Sequence, residues 1–408
     1  MRIADPDEAR QEFLAAFSPA ALEFEGLPSE TALGRLLARD VTAGDDIPNH
    51  QRSTMDGYAV RATDTFGAQE GLPVYLRLVG EVRVGNVAPG PIGPGETMWV
   101  PTGGMLPPGA DAAVKLEEAQ RLEGEVEFRR PAAPGQNVIR RGEDVAAGQI
   151  LLTRGQRLRS QDIGLLAAAG VLTVTAVRPP RVAILSTGDE VVPPEATPGP
   201  GQVRDANGPA LVAAVRADGG EPFYFGITGD EPAALEAALR KALQHHLVLI
   251  SGGSSAGTRD FTLACLSTLG EPGVLVHGVA VKPGKPTALA VINGIPVVGL
   301  PGHPVSALVI YRLFGRPALR RLMGLPAARW EGVVRARLTA NVPSEAGRDD
   351  YVRVALLRRD GEVWAEPQVG KSGLLSTLTR ADGLIMVPRD LEGIAAGTWV
   401  EVWPDPRD

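Results

Sequence analysis

Short runs of almost purely apolar residues alternate with helical spacings through the middle of the chain. Val182 to Leu185, Leu247 to Ile250, Ala288 to Ile292 and Ile295 to Val298 read as strands buried on both faces. Pro222 to Ile227 and Val274 to Val281 add two more. Between them Leu211, Val212 and Val215, and then Leu235, Leu239 and Leu243, recur at the spacing of one helix face, and Val305 to Leu322 predicts the longest helix. This alternation over Arg181 to Gly324 predicts a mainly parallel α/β sheet covered on both faces. After Pro326 the period becomes two: Val352, Val354 and Leu356 alternate with polar neighbours, followed by Val363 to Trp364 and Trp399 to Trp403, which predicts a C-terminal β-barrel.

Upstream, Ala9 to Phe17 predicts a helix, and Leu33, Leu36 and Leu37 predict a second one opened by Ser29. From Ile47 to Asp144, short β runs separated by Gly and Pro predict an inserted β-rich domain. A turn at Gly155, a helix capped by Ser160 and a stop at Gly170 lead back to a connecting region. The expected architecture is therefore multidomain α/β plus β, divided as 1–45 with 145–177, 46–144, 178–325 and 326–408.

Composition narrows the class. With 408 residues, 44% apolar and 22% charged, the chain is neither disordered nor fibrous. A net charge of −7 with scattered Lys and Arg gives no nucleic-acid footprint, so any anionic ligand needs a local basic pocket. The single cysteine, Cys265, forms no internal disulfide, and five histidines offer no Cys/His zinc spacing. A signal-type N-terminus and an apolar run of membrane-spanning length are both missing, so a cytoplasmic protein without membrane association is expected.

In a doubly wound sheet, the loops after the strands converge on one crevice. Here these loops are Ser186 to Glu190, Ser251 to Gly257, Lys282 to Pro286 and Leu300 to Pro304. Gly252 and Gly253 let backbone approach a phosphate, with Ser254 as a further donor. Lys282 and Lys285 flank a Pro-Gly turn and are candidate anion ligands, with two solvated lysines as the bland alternative. Asp189, Glu190, Asp230 and Asp260 are hard oxygen donors that suit Mg²⁺, although Asp230 and Asp260 equally read as helix caps. His303 reads as a cap or hydrogen-bond donor, with no proton-transfer role. In the inserted region Asp56, Thr102, Arg140 and Asp144 are polar residues on loops.

Eight segments carry a resemblance: STMDGYAV from Ser53, PTGG from Pro101, RRGEDV from Arg140, STGDE from Ser186, SGGSSAGTRD from Ser251, VKPGKP from Val281, GLPGHPVSAL from Gly299 and SGLLSTLTRADGLI from Ser372. In this order they resemble the molybdopterin molybdenumtransferase family, the bacterial MoeA proteins and the E domain of gephyrin. The resemblance implies four domains and an elongated homodimer, with a cleft between the α/β domain of one subunit and the inserted domain of its partner. It implies insertion of molybdate into adenylylated molybdopterin with Mg²⁺-dependent release of AMP. Functional residues carried over are Asp56, Thr102, Asp144, Glu190, Asp230, Asp260, Lys282, Lys285, Pro301 and Ser372; Asp189, Arg140 and the Gly252 to Ser254 loop come from the motifs. His303 departs from the Asn usual after Leu-Pro-Gly, and Lys371 from a smaller residue. Transient contact with the molybdopterin adenylyltransferase and with apo-molybdoenzymes is also implied. The alternatives are a molybdopterin adenylyltransferase and a non-catalytic dimeric scaffold.

Overall fold

A computed structural model describes residues 3–18, 23–252, 256–330 and 332–405, with backbone alone for 256–261. The chain forms two units, Glu25–Ala176 and Met1–Phe24 with Val177–Asp408.

In the first unit, a six-stranded sheet has the order Ala112–Lys115, Gly57–Val60, Glu96–Val100, Val74–Glu81, Glu125–Phe128, Ala119–Arg121. Its side chains alternate between two cores. Tyr58 and Val60 join Leu76, Val126 and Phe128, whereas Ala59 joins Val82, Met98 and Val100. A separate core brings Ala32 and Leu37 onto Leu152, Leu158, Leu166 and Val174.

The helix predicted from Leu33, Leu36 and Leu37 is absent. Only one 3-10 turn forms, at Ser29–Thr31, and Gly34 then turns into the left-handed region at φ +75°. Leu33 is 63% exposed, while Leu36 and Leu37 bridge to Arg157 and Ala176. Their spacing reflects tertiary pairing and not a helix face. The later helix, Ser160–Ala168, is capped by Arg159 and not by Ser160: the Asp162 carboxylate accepts the Arg159 N–H at 2.8 Å.

The second unit contains the α/β sheet, built from β1 (Arg181–Thr187), β2 (Glu221–Thr228), β3 (Leu247–Gly252), β4 (Pro272–His277), β5 (Ala288–Ile292) and β6 (Ile295–Leu300), in the order β2-β1-β3-β6-β5-β4. The first four in that order are parallel, and β5 and β4 complete the sheet antiparallel. The predicted strand through Val281 stops at His277, and Val281–Lys282 instead pairs with the barrel. Helices α1 (Asn207–Ala217), α2 (Pro232–Ala242) and α3 (Ala256–Thr268) intervene. Helical structure over 304–322 is interrupted by a π turn at Tyr311–Gly315. Val182 to Leu185 and Leu247 to Leu249 are wholly buried, which is why these strands lack polar alternation.

The strands β7 (Val334–Leu338), β8 (Asp349–Arg359), β9 (Glu362–Pro367), β10 (Gly383–Val387) and β11 (Trp399–Pro404) pair as β8-β9-β7-β11-β10, and β10 returns to β8. The ring closes a five-stranded barrel around Ala336, Leu338, Val354, Ala365, Ile385 and Val402. Helix Pro6–Ala15 belongs to this second unit rather than to the one that holds Glu25 onward.

At the amino end of β1, the Arg181 N–H donates to Nδ1 of His246 at 2.9 Å. Burial, then the Arg181 guanidinium, pulls the His246 pKa below its ordinary value of 6.5. The unfolded chain therefore binds this proton more readily, so the stabilisation present above about pH 6.5 is lost as pH falls through the lowered folded value. His246→Asn keeps an acceptor without a titrating ring and should flatten the fall in unfolding midpoint between about pH 7 and pH 5. Parallel acid profiles for the two proteins would contradict this.

Candidate functional site

The loops after β1, β3 and β6 leave the same edge of the sheet, and so does the loop after β4, because β4 runs antiparallel to β5 and β5 antiparallel to β6. Thr187 and Gly252 face each other at the ends of β1 and β3. A cavity of 150 Å³ opens there, lined by Thr187, Gly252, Leu263, Pro286, Pro301 and His303. A second cavity, of 570 Å³, shares Pro286, Pro301 and His303 with the first. Lys282 and Lys285 line it on the sheet side, and Arg348, Asp350, Arg353 and Ser372 on the barrel side.

Charge distinguishes the larger cavity. Lys282, Lys285, Arg348, Arg353 and Lys371 line it against two carboxylates, Glu345 and Asp350, in a chain of net charge −7. Lys282 is held by the buried Asp350, Nζ to Oδ2 2.9 Å, and Asp350 also accepts from Ser344 Oγ at 2.8 Å. Arg348 pairs with Glu345 at 2.8 Å. Lys285 is exposed and makes no ion pair among the described residues. Arg353 is buried, and desolvation, opposed by Asp350, lowers the pKa of its guanidinium. One arm of that guanidinium donates to Gly370 O at 2.6 Å, whereas Nε has no partner among the described residues. Excess positive charge with incompletely used donors is the chemistry that recognition of an oxyanion requires.

His303 occupies the cap position of the helix at Pro304–Ile310 without capping it; its Nδ1 lies 2.8 Å from Ser372 Oγ. The Val305 N–H donates to Ser372 O at 3.2 Å, so the predicted residue Ser372 is anchored twice at the mouth of that helix.

The acidic residues are placed differently. Asp189 is exposed, and its Oδ1 accepts the Asp230 N–H at 3.0 Å. The Glu190 carboxylate folds back over Gly188, where a Cβ would meet Oε2 at 2.6 Å. Asp189, Glu190 and Asp230 line neither cavity. Asp230 is not the cap of α2; Glu231 is, its Oε2 accepting the Ala234 N–H at 2.9 Å. Asp260 likewise falls inside α3, which begins at Ala256, so it is no N-cap. The Asp260 side chain, Gly253 and Ser254 lie outside the described residues. Among the described residues no group of three or more His, Cys, Asp or Glu could hold a metal ion.

In the other unit, Asp56 Oδ1 accepts both the Thr102 N–H, at 2.6 Å, and the Thr102 hydroxyl, at 2.9 Å. The backbone bond, then the hydroxyl, lowers the Asp56 pKa, so this exposed carboxylate stays ionised. The Arg140 N–H donates to Glu143 Oε2 at 2.8 Å, the Asp144 N–H donates to Ile47 O at 3.1 Å, and both side chains are exposed.

Sequence reasoning missed the barrel's share, Arg348, Asp350 and Arg353. The signal was available in the charged stretch Arg348-Asp349-Asp350, because a buried charge in a strand needs a partner.

Three family models match in succession: MoeA N-terminal region (domain I and II) over residues 4–170, probable molybdopterin binding domain over 183–321, and MoeA C-terminal region (domain IV) over 335–404. A Mycobacterium tuberculosis protein named molybdopterin molybdenumtransferase 2 is 36% identical over 384 residues, 92% of this chain and 94% of its own. The chain belongs to the MoeA family. A molybdopterin molybdenumtransferase of Nostoc is 35% identical, covering 90% of this chain and 85% of its own. The crystal structure of a molybdopterin biosynthesis MoeA protein from Pyrococcus horikoshii OT3 has 32% identity and a TM-score of 0.85, covering 98% of this chain and 99% of that one. Membership of the MoeA family makes this protein a transferase of molybdenum cofactor biosynthesis that acts on molybdopterin. Among the described residues no helix is long and apolar enough to cross a membrane.

Proposed function

We propose that the protein inserts molybdate into adenylylated molybdopterin and releases AMP in a Mg²⁺-dependent step. The observation that carries this reading is the 570 Å³ cavity, where five Lys and Arg side chains face two carboxylates. The molybdate and the phosphates of the substrate are anions, and this cavity offers the positive charge to receive them. Lys285, Lys282 and Ser372 act there as ligands beside Pro301, with the Gly252-Gly253-Ser254 loop cradling phosphate. Asp56, Asp144, Glu190, Asp230 and Asp260 are the acidic catalytic groups, and Thr102 and Arg140 contribute to substrate binding.

Mg²⁺ in its usual mode takes only one or two carboxylates and completes its shell with substrate phosphates and water, so it requires no larger acidic cluster. Asp189, Glu190, Asp230 and Asp260 would supply the carboxylates; Asp189 already spends one oxygen on the Asp230 N–H. When bound, the ion neutralises charge on phosphate oxygens. Lys285 meanwhile orients the anion, and the Asp350 carboxylate fixes the Lys282 ammonium.

We also propose a cytoplasmic homodimer that meets the molybdopterin adenylyltransferase and apo-molybdoenzymes transiently. The proposed domain division is 1–45 with 145–177, 46–144, 178–325 and 326–408; separate apolar cores support it, except that residues 1–24 group with the α/β and barrel unit. Sedimentation should return twice the chain mass.

The test is to mix purified protein with adenylylated molybdopterin and Mg²⁺. AMP should appear only after molybdate is added, stop with EDTA and return with excess Mg²⁺. ATP consumption with metal-free molybdopterin would instead make the protein an adenylyltransferase, and lack of any turnover would favour a scaffold.

A further inference from the structure

Behind the cavities lies a buried polar network that none of the assigned ligands explains. Asp205 is 5% exposed, yet its carboxylate accepts four hydrogen bonds. Oδ2 takes the Ser186 hydroxyl at 2.8 Å and the Tyr224 hydroxyl, and Oδ1 takes the N–H groups of Asn207 and Gly208, each at 3.0 Å. A carboxylate saturated in this way locks the backbone that follows it. Asn207 then spends both amide protons on two different segments, a strand end and a loop: Nδ2 donates to Ser251 Oγ at 2.7 Å and to Gly302 O at 2.8 Å. Ser251 directly precedes Gly252 at the end of β3, and Gly302 lies between Pro301 and His303 after β6. The same segment is tied to the third loop, because the Val203 N–H donates to Glu190 O and the Asp205 N–H to Val192 O, both at 2.8 Å.

We propose that Asn207, locked by Asp205, is a positioning residue that sets the spacing of the β3 end at Ser251–Gly252 and the Pro301–His303 turn, and hence the geometry of the substrate site. This rests on the reading that those loops hold adenylylated molybdopterin. Asn207 touches neither cavity, so it acts through the loops and not on the ligand.

Asn207→Leu keeps the side chain's approximate shape and removes both donors without supplying a new acceptor to the Ser251 hydroxyl. Equilibrium binding of adenylylated molybdopterin, followed by calorimetry, should weaken on the order of tenfold, with KM rising in step and kcat falling less. Ser251→Ala removes a single acceptor and is the milder variant should Asn207→Leu fold poorly; it should weaken binding by a smaller factor. The double variant should be no worse than Asn207→Leu alone, since the shared bond is already lost. A merely structural role would lower the unfolding midpoint and leave the affinity of the folded protein unchanged, which would overturn the proposal. Fully additive losses would overturn it too. Wild-type protein that fails to bind this probe would remove the functional reading and the positioning role together. Wild-type protein that binds it without molybdate-dependent AMP release would remove only the functional reading, and the affinities of the variants would still decide the role of Asn207.

Discussion

Lys285→Ala is expected to reduce molybdate-dependent AMP release by roughly 10²-fold while leaving the unfolding midpoint where it was. The stability half of this expectation follows from exposure: Lys285 makes no ion pair among the described residues, so truncation strands no partner among them. The activity half follows from position, because an ammonium that lines the cavity with Pro301 and Ser372, and has no ion pair among the described residues, presents its charge to a ligand. Lys282 is the less clean probe. Its ammonium compensates Asp350, only 5% exposed, so Lys282→Ala would leave a buried carboxylate unpaired and cost stability as well as rate. Unchanged turnover in Lys285→Ala would remove that lysine from the mechanism.

Gly252→Ala should be damaging in another way. The residue sits at φ +149°, and a Cβ there would meet the Thr187 carbonyl oxygen at 2.1 Å and Thr187 Oγ1 at 2.2 Å. Those atoms belong to β1, in register with β3 across a buried sheet, so neither side yields cheaply. Strain and overpacking together should cost roughly 2–5 kcal/mol, read from the denaturant midpoint. Thr187 and Gly252 also line the smaller cavity, so folded variant protein should bind adenylylated molybdopterin more weakly. Near-wild-type stability would mean that the strand ends are looser than these distances imply.

How much of this was legible depends on what set each pattern. The runs from Val182, Leu247, Ala288 and Ile295 declared themselves because both faces of the sheet are covered and nothing polar is tolerated. Barrel closure followed from period-two alternation in β8 and from β11, and the grouping of Lys282, Lys285, Pro301 and Ser372 around one cavity from the placement of their loops and the family resemblance. The leucines at 33, 36 and 37 misled because residues bridging to distant partners can mimic helical spacing, and the left-handed Gly34 went unread. Caps were misplaced by one residue at Ser160 and Asp230, where the neighbours Arg159 and Glu231 took the position. Asp260 was misread more deeply, since α3 begins four residues before it. The expected meeting of Glu190 with Lys285 has no support in the lining of either cavity. Asp205 and Asn207 hid in a stretch, Asp205 to Pro209, that reads as an ordinary turn; nothing local in it reveals that Ser251 and Gly302 supply its partners.

The proposed reaction requires an oxyanion to enter the cavity between the α/β loops and the barrel. Diffraction at the molybdenum absorption edge, from crystals soaked in molybdate, tests this most directly. An anomalous peak within hydrogen-bonding reach of Lys285 and Ser372, lost in Lys285→Ala, is the predicted result. A peak elsewhere on the protein that survives the substitution would contradict it.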